Sequence, residues 1–200
     1  MKSYIVSAVL FIFLLNISID SDAQSDDRQY ELIPEKSVIT WVAKNEATKF
    51  TGTIKIKNGY LNFNQEMLSE AVVFANCKSI TCTDCGKTET AKKLTDFIRS
   101  SEFLNVDNMD YAVFKMNKAT VIENSKDGNF RLDGELTIIG YSNVISINVT
   151  ISEKKDHVYV EGKLSLNRAL WHLNNPSDED QKSAIEQTID LYLNLEGELK

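Results

Sequence analysis

Three consecutive landmarks decide the fold of this chain: Phe97-Ile98-Arg99-Ser100-Ser101-Glu102-Phe103-Leu104-Asn105-Val106, Tyr111-Ala112-Val113-Phe114-Lys115-Met116, and Gly134-Glu135-Leu136-Thr137-Ile138-Ile139-Gly140. The first closes a helix. From Thr88 to Ser101, Ala91, Leu94, Phe97 and Ile98 fall at helical spacing, and Lys92, Lys93, Asp96 and Arg99 face outward. Thr88 or Thr90 can cap its start. Phe103 and Leu104 follow and are expected to dock on a sheet. The second and third landmarks are strands, Tyr111 to Ile122 and Asn129 to Ile139, turned by Asp127-Gly128. Gly134 interrupts the second run and predicts a bulge or bend there.

Working outward, the two-residue period continues on both sides. Residues 24–29 read as a frayed polar lead-in. Short strands are expected at Tyr30 to Ile33 and Ser37 to Ala43. Phe50 to Lys57 alternates, with Ile54 and Ile56 on one face, and Asn58-Gly59 predicts a hairpin turn into Tyr60 to Asn64. Glu70 to Ile80 carries Val73, Ala75 and Cys77 on one face. After a turn at Gly140 to Asn143, Ile145, Ile147, Val149 and Ile151 share a face. His157 to Asn167 and Gln187 to Leu199 are the last strands. The Ala169 to Ala184 segment between them is mixed, with an acidic run at Asp178-Glu179-Asp180. The fold class is mostly β: an antiparallel meander with one helical insertion. Its edges stay exposed unless it closes on itself, and an eight-stranded barrel can hold one small ligand.

Composition narrows the function classes. The 200 residues are 42% hydrophobic, enough for a core, and carry a net charge of -7. That balance opposes nucleic-acid binding, which needs a basic stripe, and electrostatic docking on anionic lipid. Lys2, the apolar Tyr4 to Ile19 and the small-x-small Ser21-Asp22-Ala23 form a cleavable signal peptide over residues 1–23, leaving one domain over 24–200. The rival, an uncleaved anchor, is short for a bilayer and ends in acidic residues. The expected location is periplasmic or extracellular.

Export makes the cysteines informative. Cys77, Cys82 and Cys85 are three thiols in one cluster, so one local disulfide and one odd thiol are expected. The odd thiol is buried, reactive or joined to another chain, possible homodimer included. A metal or iron–sulfur site would need a fourth ligand, with His157 or His172 the candidates. Cys82-Thr83-Asp84-Cys85 has the C-x-x-C spacing without a thioredoxin-like βαβ setting. No serine-hydrolase elbow, zinc-protease helix or phosphate loop is present in the sequence. The chain is therefore read as non-enzymatic, with no cofactor.

Apolar lining is the stronger signal. Trp41, Phe50, Ile54, Ile56, Leu61 and Phe63 come from the early strands. Phe97, Phe103, Phe114, Leu136 and Ile138 come from the central stretch, and Leu166, Trp171 and Leu193 from the end. All can project inward, either as a dry core or as the wall of a pocket.

The ordered motifs resemble the YceI-like family. Its H-L-K-S-x-D-F-F-D-V run matches Phe97 to Val106, its Y-P-x-A-x-F matches Met109 to Phe114, and its G-x-L-T-I-x-G-x-T matches Gly134 to Ser142. Asn167-Arg168 with Trp171 is similar to a late N-R before an aromatic. Ser37 to Trp41 and Gly52-Thr53-Ile54 resemble its early pattern. The resemblance implies a closed, antiparallel, eight-stranded lipocalin-like barrel with one helix packed against it. It also implies a long pocket for an isoprenoid, quinone-like or fatty amphiphile. Phe97 replaces the family's histidine, Asp110 its proline, and the cysteine cluster is extra. Arg168 is then the remaining candidate for a head group, against a structural role at the barrel rim. Two alternatives stay open: a filled-barrel interaction module, and a redox or metal protein using the cysteines.

Overall fold

The computed structural model describes residues 27–44, 48–84, 88–123, 125–126, 128–173 and 186–200. The signal segment and its cleavage site, Cys85, Asp127 and the acidic run at Asp178-Glu179-Asp180 lie outside these residues, as do the side chains of Thr88 and Thr90. The strands are β1 (Asp27–Leu32), β2 (Val38–Lys44), β3 (Lys49–Asn64), β4 (Met67–Asn76) and β5 (Thr81–Cys82), followed by helix α1 (Thr88–Arg99). Then come β6 (Tyr111–Val121), β7 (Phe130–Ile138), β8 (Tyr141–Lys154), β9 (His157–Asn167) and β10 (Thr188–Leu199).

Eight of the strands close a barrel in the order β2-β3-β4-β6-β7-β8-β9-β10, every neighbouring pair antiparallel. Closure leaves no long unpaired edge, which answers the hazard an open meander would carry. β1 and β2 share one position in the wall. β2 pairs with β3 from Lys49 to Lys55, whereas β1 pairs with β3 from Tyr60 to Asn64 and with the end of β10. The short β5 adds to the outside of β3 at Gly52 and Thr53.

Four details differ from the sequence reading. Asn58-Gly59 is not a turn, because β3 runs through it as one long strand. The β3–β4 register skips Lys57, and a Cβ at Gly59 would lie 2.6 Å from the Val72 carbonyl oxygen and 2.8 Å from Leu32. The glycine serves close packing under β1, and the real turn follows Asn64, with Gln65 left-handed at φ 53°. Second, the irregularity predicted at Gly134 falls on its partner: β6 carries an extra residue between Met116 and Lys118. The Phe114 ring lies over Gly134, where a Cβ would come within 2.6 Å of it. Third, the β7–β8 turn is Ile139-Gly140, both at positive φ, so Tyr141 already begins β8. Fourth, Asp27 to Gln29 are not frayed; they pair with Phe63, Asn62 and Asn64.

The interior divides along the barrel axis. One end is packed solid around Tyr30, Phe63, Phe130 and Val158. Tyr30 and Phe63 meet edge to face at 5.9 Å, and both the Tyr30 hydroxyl and the Arg28 guanidinium donate to Glu153. Burial, helped by Glu153, pushes the Tyr30 hydroxyl up to about 12. The other end is covered by α1 and the segment after it, through Leu94, Phe97, Ile98, Phe103 and Leu104.

Candidate functional site

The period-2 pattern sends alternate residues inward, and between the two ends these residues underfill the barrel. Two apolar chambers result. The upper, beneath α1, has a volume of about 150 Å³. The lower, nearer the packed end, has about 100 Å³. Ile39, Ala75, Ala112, Leu136 and Leu191 line both, so the chambers meet at a common waist. β10 supplies one continuous inward row: Ile189 and Leu191 above, Leu193 and Leu195 below. An apolar cavity of ~150 Å³ stays dry and holds a ring the size of benzene. Two such spaces in series suit a narrow chain better than a fused ring system.

Most of the residues read from the sequence stand on this wall. Trp41, Phe50, Ile54, Phe97, Phe103, Ile138 and Leu166 line the upper chamber. Phe114, Leu61 and Leu193 line the lower, and Leu136 borders both. Phe97 and Phe103 pack at 5.6 Å between ring centroids. Three of the expected lining residues are placed elsewhere. Ile56 is 2% exposed and borders neither chamber, although it is the register partner of Ala75; Phe63 is 3% exposed and belongs to the packed end. Trp171 is fully buried behind the wall, where its indole N–H donates to the Leu136 carbonyl at 2.9 Å. That hydrogen bond fixes the backbone of a waist residue.

Arg168 is the polar side chain among the residues of the upper chamber, and it is 3% exposed. Its Nη1 donates to the Leu173 carbonyl at 2.6 Å and its Nε to the Glu186 carbonyl at 3.2 Å. Its backbone N–H donates to Gln187. The guanidinium thus clamps the segment after β9 to the start of β10, with its apolar stem toward the chamber.

Cys77 also lines the upper chamber, which the sequence did not indicate. It is a free thiol, buried at 4% exposure. Burial, followed by the Asp110 charge, pushes it up to about 11. A thiol so placed stands inside the barrel wall, away from the surface. Cys82 sits half-buried against Thr51, and its backbone N–H donates to the Thr95 hydroxyl of α1. Among the described residues no three His, Cys, Asp or Glu side chains gather as a metal site. His157 lies beside Glu196 at 3.1 Å, and His172 packs on Tyr141 at 4.3 Å, outside the chambers.

Several lining residues went unread: Ile39, Ala75, Ala112, Ile189 and Leu191 among them. Ile189 and Leu191 were visible in the alternation of the last strand. Ala75 was read with Val73 and Cys77 on one face of its strand but not as lining, because a small residue marks space only once its neighbours are known.

The closed barrel, its capping helix and its apolar bore define a lipocalin-like binding fold. The YceI-like domain model matches residues 30–197, and the chain belongs to the YceI-like family. BcnA from Burkholderia cenocepacia has a similar structure, with a TM-score of 0.66 at 16% identity over 82% of this chain and 98% of that one. A polyisoprenoid binding domain from Saccharophagus degradans, implicated in plant cell wall breakdown, has a TM-score of 0.58 at 14% identity, covering 86% of this chain and 98% of its own. The Campylobacter jejuni YCEI protein gives 0.53 at 16% identity over 71% of this chain and 80% of that chain. A search of curated protein sequences finds no match.

Proposed function

We propose that this chain is an exported, non-enzymatic carrier that holds a long apolar chain inside its barrel. The ligand would be an isoprenoid, a quinone-like molecule or a fatty amphiphile. The observation that carries the reading is the pair of apolar chambers in the barrel interior, which share Ile39, Ala75, Ala112, Leu136 and Leu191 in their walls. Each methylene moved from water into such a space contributes about 0.8 kcal/mol, so affinity accumulates along a chain without polar recognition. The polyisoprenoid binding domain of similar fold supports the same ligand class. The acidic charge favours recognition by the interior over binding to anionic surfaces.

Export rests on the leader-like residues 1–23, and N-terminal sequencing of the protein from cell fractions tests it. In an oxidising compartment the cysteine cluster resolves as a Cys82–Cys85 disulfide. That pairing is supported by Cys77 being a free, buried thiol and by the C-x-x-C spacing of Cys82 and Cys85. Arg168 acts as a structural clamp, with its Nε and Nη1 held by the Glu186 and Leu173 carbonyl oxygens.

The test is native mass spectrometry of protein purified from the exported fraction without detergent, followed by solvent extraction. The expected result is an added mass that extracts as an apolar chain. Protein that emerges empty, and stays empty after incubation with isoprenoids and fatty alcohols, sinks the carrier reading in favour of a filled-barrel module.

A further inference from the structure

We propose that Ala75 and Ala112 form a chain-length selector, the passage through which a ligand tail enters the lower half of the barrel. This rests on the carrier reading above and adds which part of the wall sets ligand length. The two alanines are direct register partners on β4 and β6. Directly opposed side chains on an antiparallel pair stand ~5 Å apart at Cβ. Both alanines lie on the shared waist with Ile39, Leu136 and Leu191.

Both are only half-buried although they face the barrel interior. The other residues shared by the two chambers, Ile39, Leu136 and Leu191, are larger, so the alanine pair is where the shared wall is thinnest. A leucine or phenylalanine at either position would project across the waist. The residues that follow on the same strands, Val73 and Phe114, line the lower chamber. The bore therefore continues past the pair.

The length at stake follows from strand geometry. The inward row from Ile189 to Leu195 spans both chambers, ~20 Å along β10 and about 15 Å along the axis at usual barrel tilt. A tail that fills both chambers is on the order of a dozen carbons in extended form. A tail confined to the upper chamber is on the order of half that. Among the described residues no polar side chain borders the lower chamber, so the end that passes the waist is plain hydrocarbon.

The experiment measures binding of saturated primary alcohols, from hexanol to dodecanol, to delipidated full-chain protein by titration calorimetry. It compares wild type with Ala112→Leu and with the milder Ala75→Val and Ala112→Val, each checked for a native melting transition. In wild type the affinity is expected to rise about fourfold per added CH₂ across the series. In Ala112→Leu, affinity still rises over the shortest alcohols, and the rise stops several carbons short of wild type. Dodecanol then binds more weakly than in wild type by at least a hundredfold, on the order set by the lost methylenes. The valine variants shorten the rise by fewer carbons and serve if the leucine variant fails to fold. Variants that follow the wild-type slope through dodecanol overturn the selector and leave the carrier reading intact. A uniform loss at every length also overturns it, since that marks a packing defect. Wild type that binds no alcohol removes the carrier reading and the selector with it.

Discussion

Replacing Arg168 by lysine keeps a positive charge and removes the fork. In the native protein Nη1 and Nε reach two carbonyl oxygens at once, of Leu173 and of Glu186. A lysine ammonium at the end of an unbranched stem reaches one of them. Hydrogen bonds to a charged group contribute about 1.5–3 kcal/mol, and a buried carbonyl left without a donor costs about 1–3 kcal/mol. The Leu173 bond is the buried one, so water does not restore it, whereas Glu186 is exposed and its carbonyl can be hydrated. The expected loss for Arg168→Lys is about 3 kcal/mol of unfolding free energy. For a chain of this size, each kcal/mol moves Tm by about 2–4 °C, so Tm falls by about 6–12 °C. Urea denaturation gives the free energy, and a calorimetric scan gives Tm. The reasoning is refuted if Arg168→Lys unfolds within about 0.5 kcal/mol of wild type while its affinity for an anionic amphiphile changes. That pattern would make Arg168 a head-group receptor.

Three further perturbations follow from the packing. Gly52→Ala places a Cβ 1.9 Å from the Thr81 carbonyl oxygen and 2.5 Å from the Trp41 ring. It should detach β5, break the 3.2 Å Trp41 Nε1 bond to Thr81 and shift Trp41 fluorescence toward the red, with a loss of more than about 2 kcal/mol in urea. Gly134→Ala drives a Cβ to 2.4 Å from the Lys115 carbonyl oxygen and into the Phe114 ring; loss of about 2 kcal/mol is expected, measured by the same titration. Cys77 controls an alkaline step. Its thiol rises from an ordinary 9.0 to about 11 in the folded protein, so the neutral form is the one the fold stabilises. This contribution is complete below pH 9 and is lost as pH climbs from about 9 to about 11. Unfolding free energy should therefore fall less steeply over that window in Cys77→Ala than in wild type, and a thiol reagent should label native Cys77 only after denaturant is added.

The sequence showed which residues face inward better than it showed where along the barrel they sit. β9 begins at His157 and ends at Asn167 as its alternation predicts, and α1 begins at the expected Thr88. Ile54 and Ile56 share a face as read, yet Ile54 lines the upper chamber and Ile56 is packed away from both. Periodicity fixes the face; whether an inward residue meets a chamber depends on neighbours far away in sequence, such as Ala75 opposite Ile56. The Asn58-Gly59 error has the same origin. A local turn signal was overridden by β1 lying across the strand, an arrangement brought about by contacts far apart in sequence. Trp171 looked like a ligand contact because it is aromatic, and its buried N–H turned it into a brace for Leu136. The alanine waist was silent for the opposite reason: its function is the volume that it leaves empty.

The most direct measurement is a crystal structure of the delipidated protein soaked with 12-bromododecanol (a chain of about the bore's estimated length), with the bromine located by its anomalous signal. The account predicts one bromine peak inside the barrel, among the residues that line the lower chamber. Bromine found only on the outer surface, with the chambers unchanged, would contradict the claim that this barrel is built around a chain-shaped ligand.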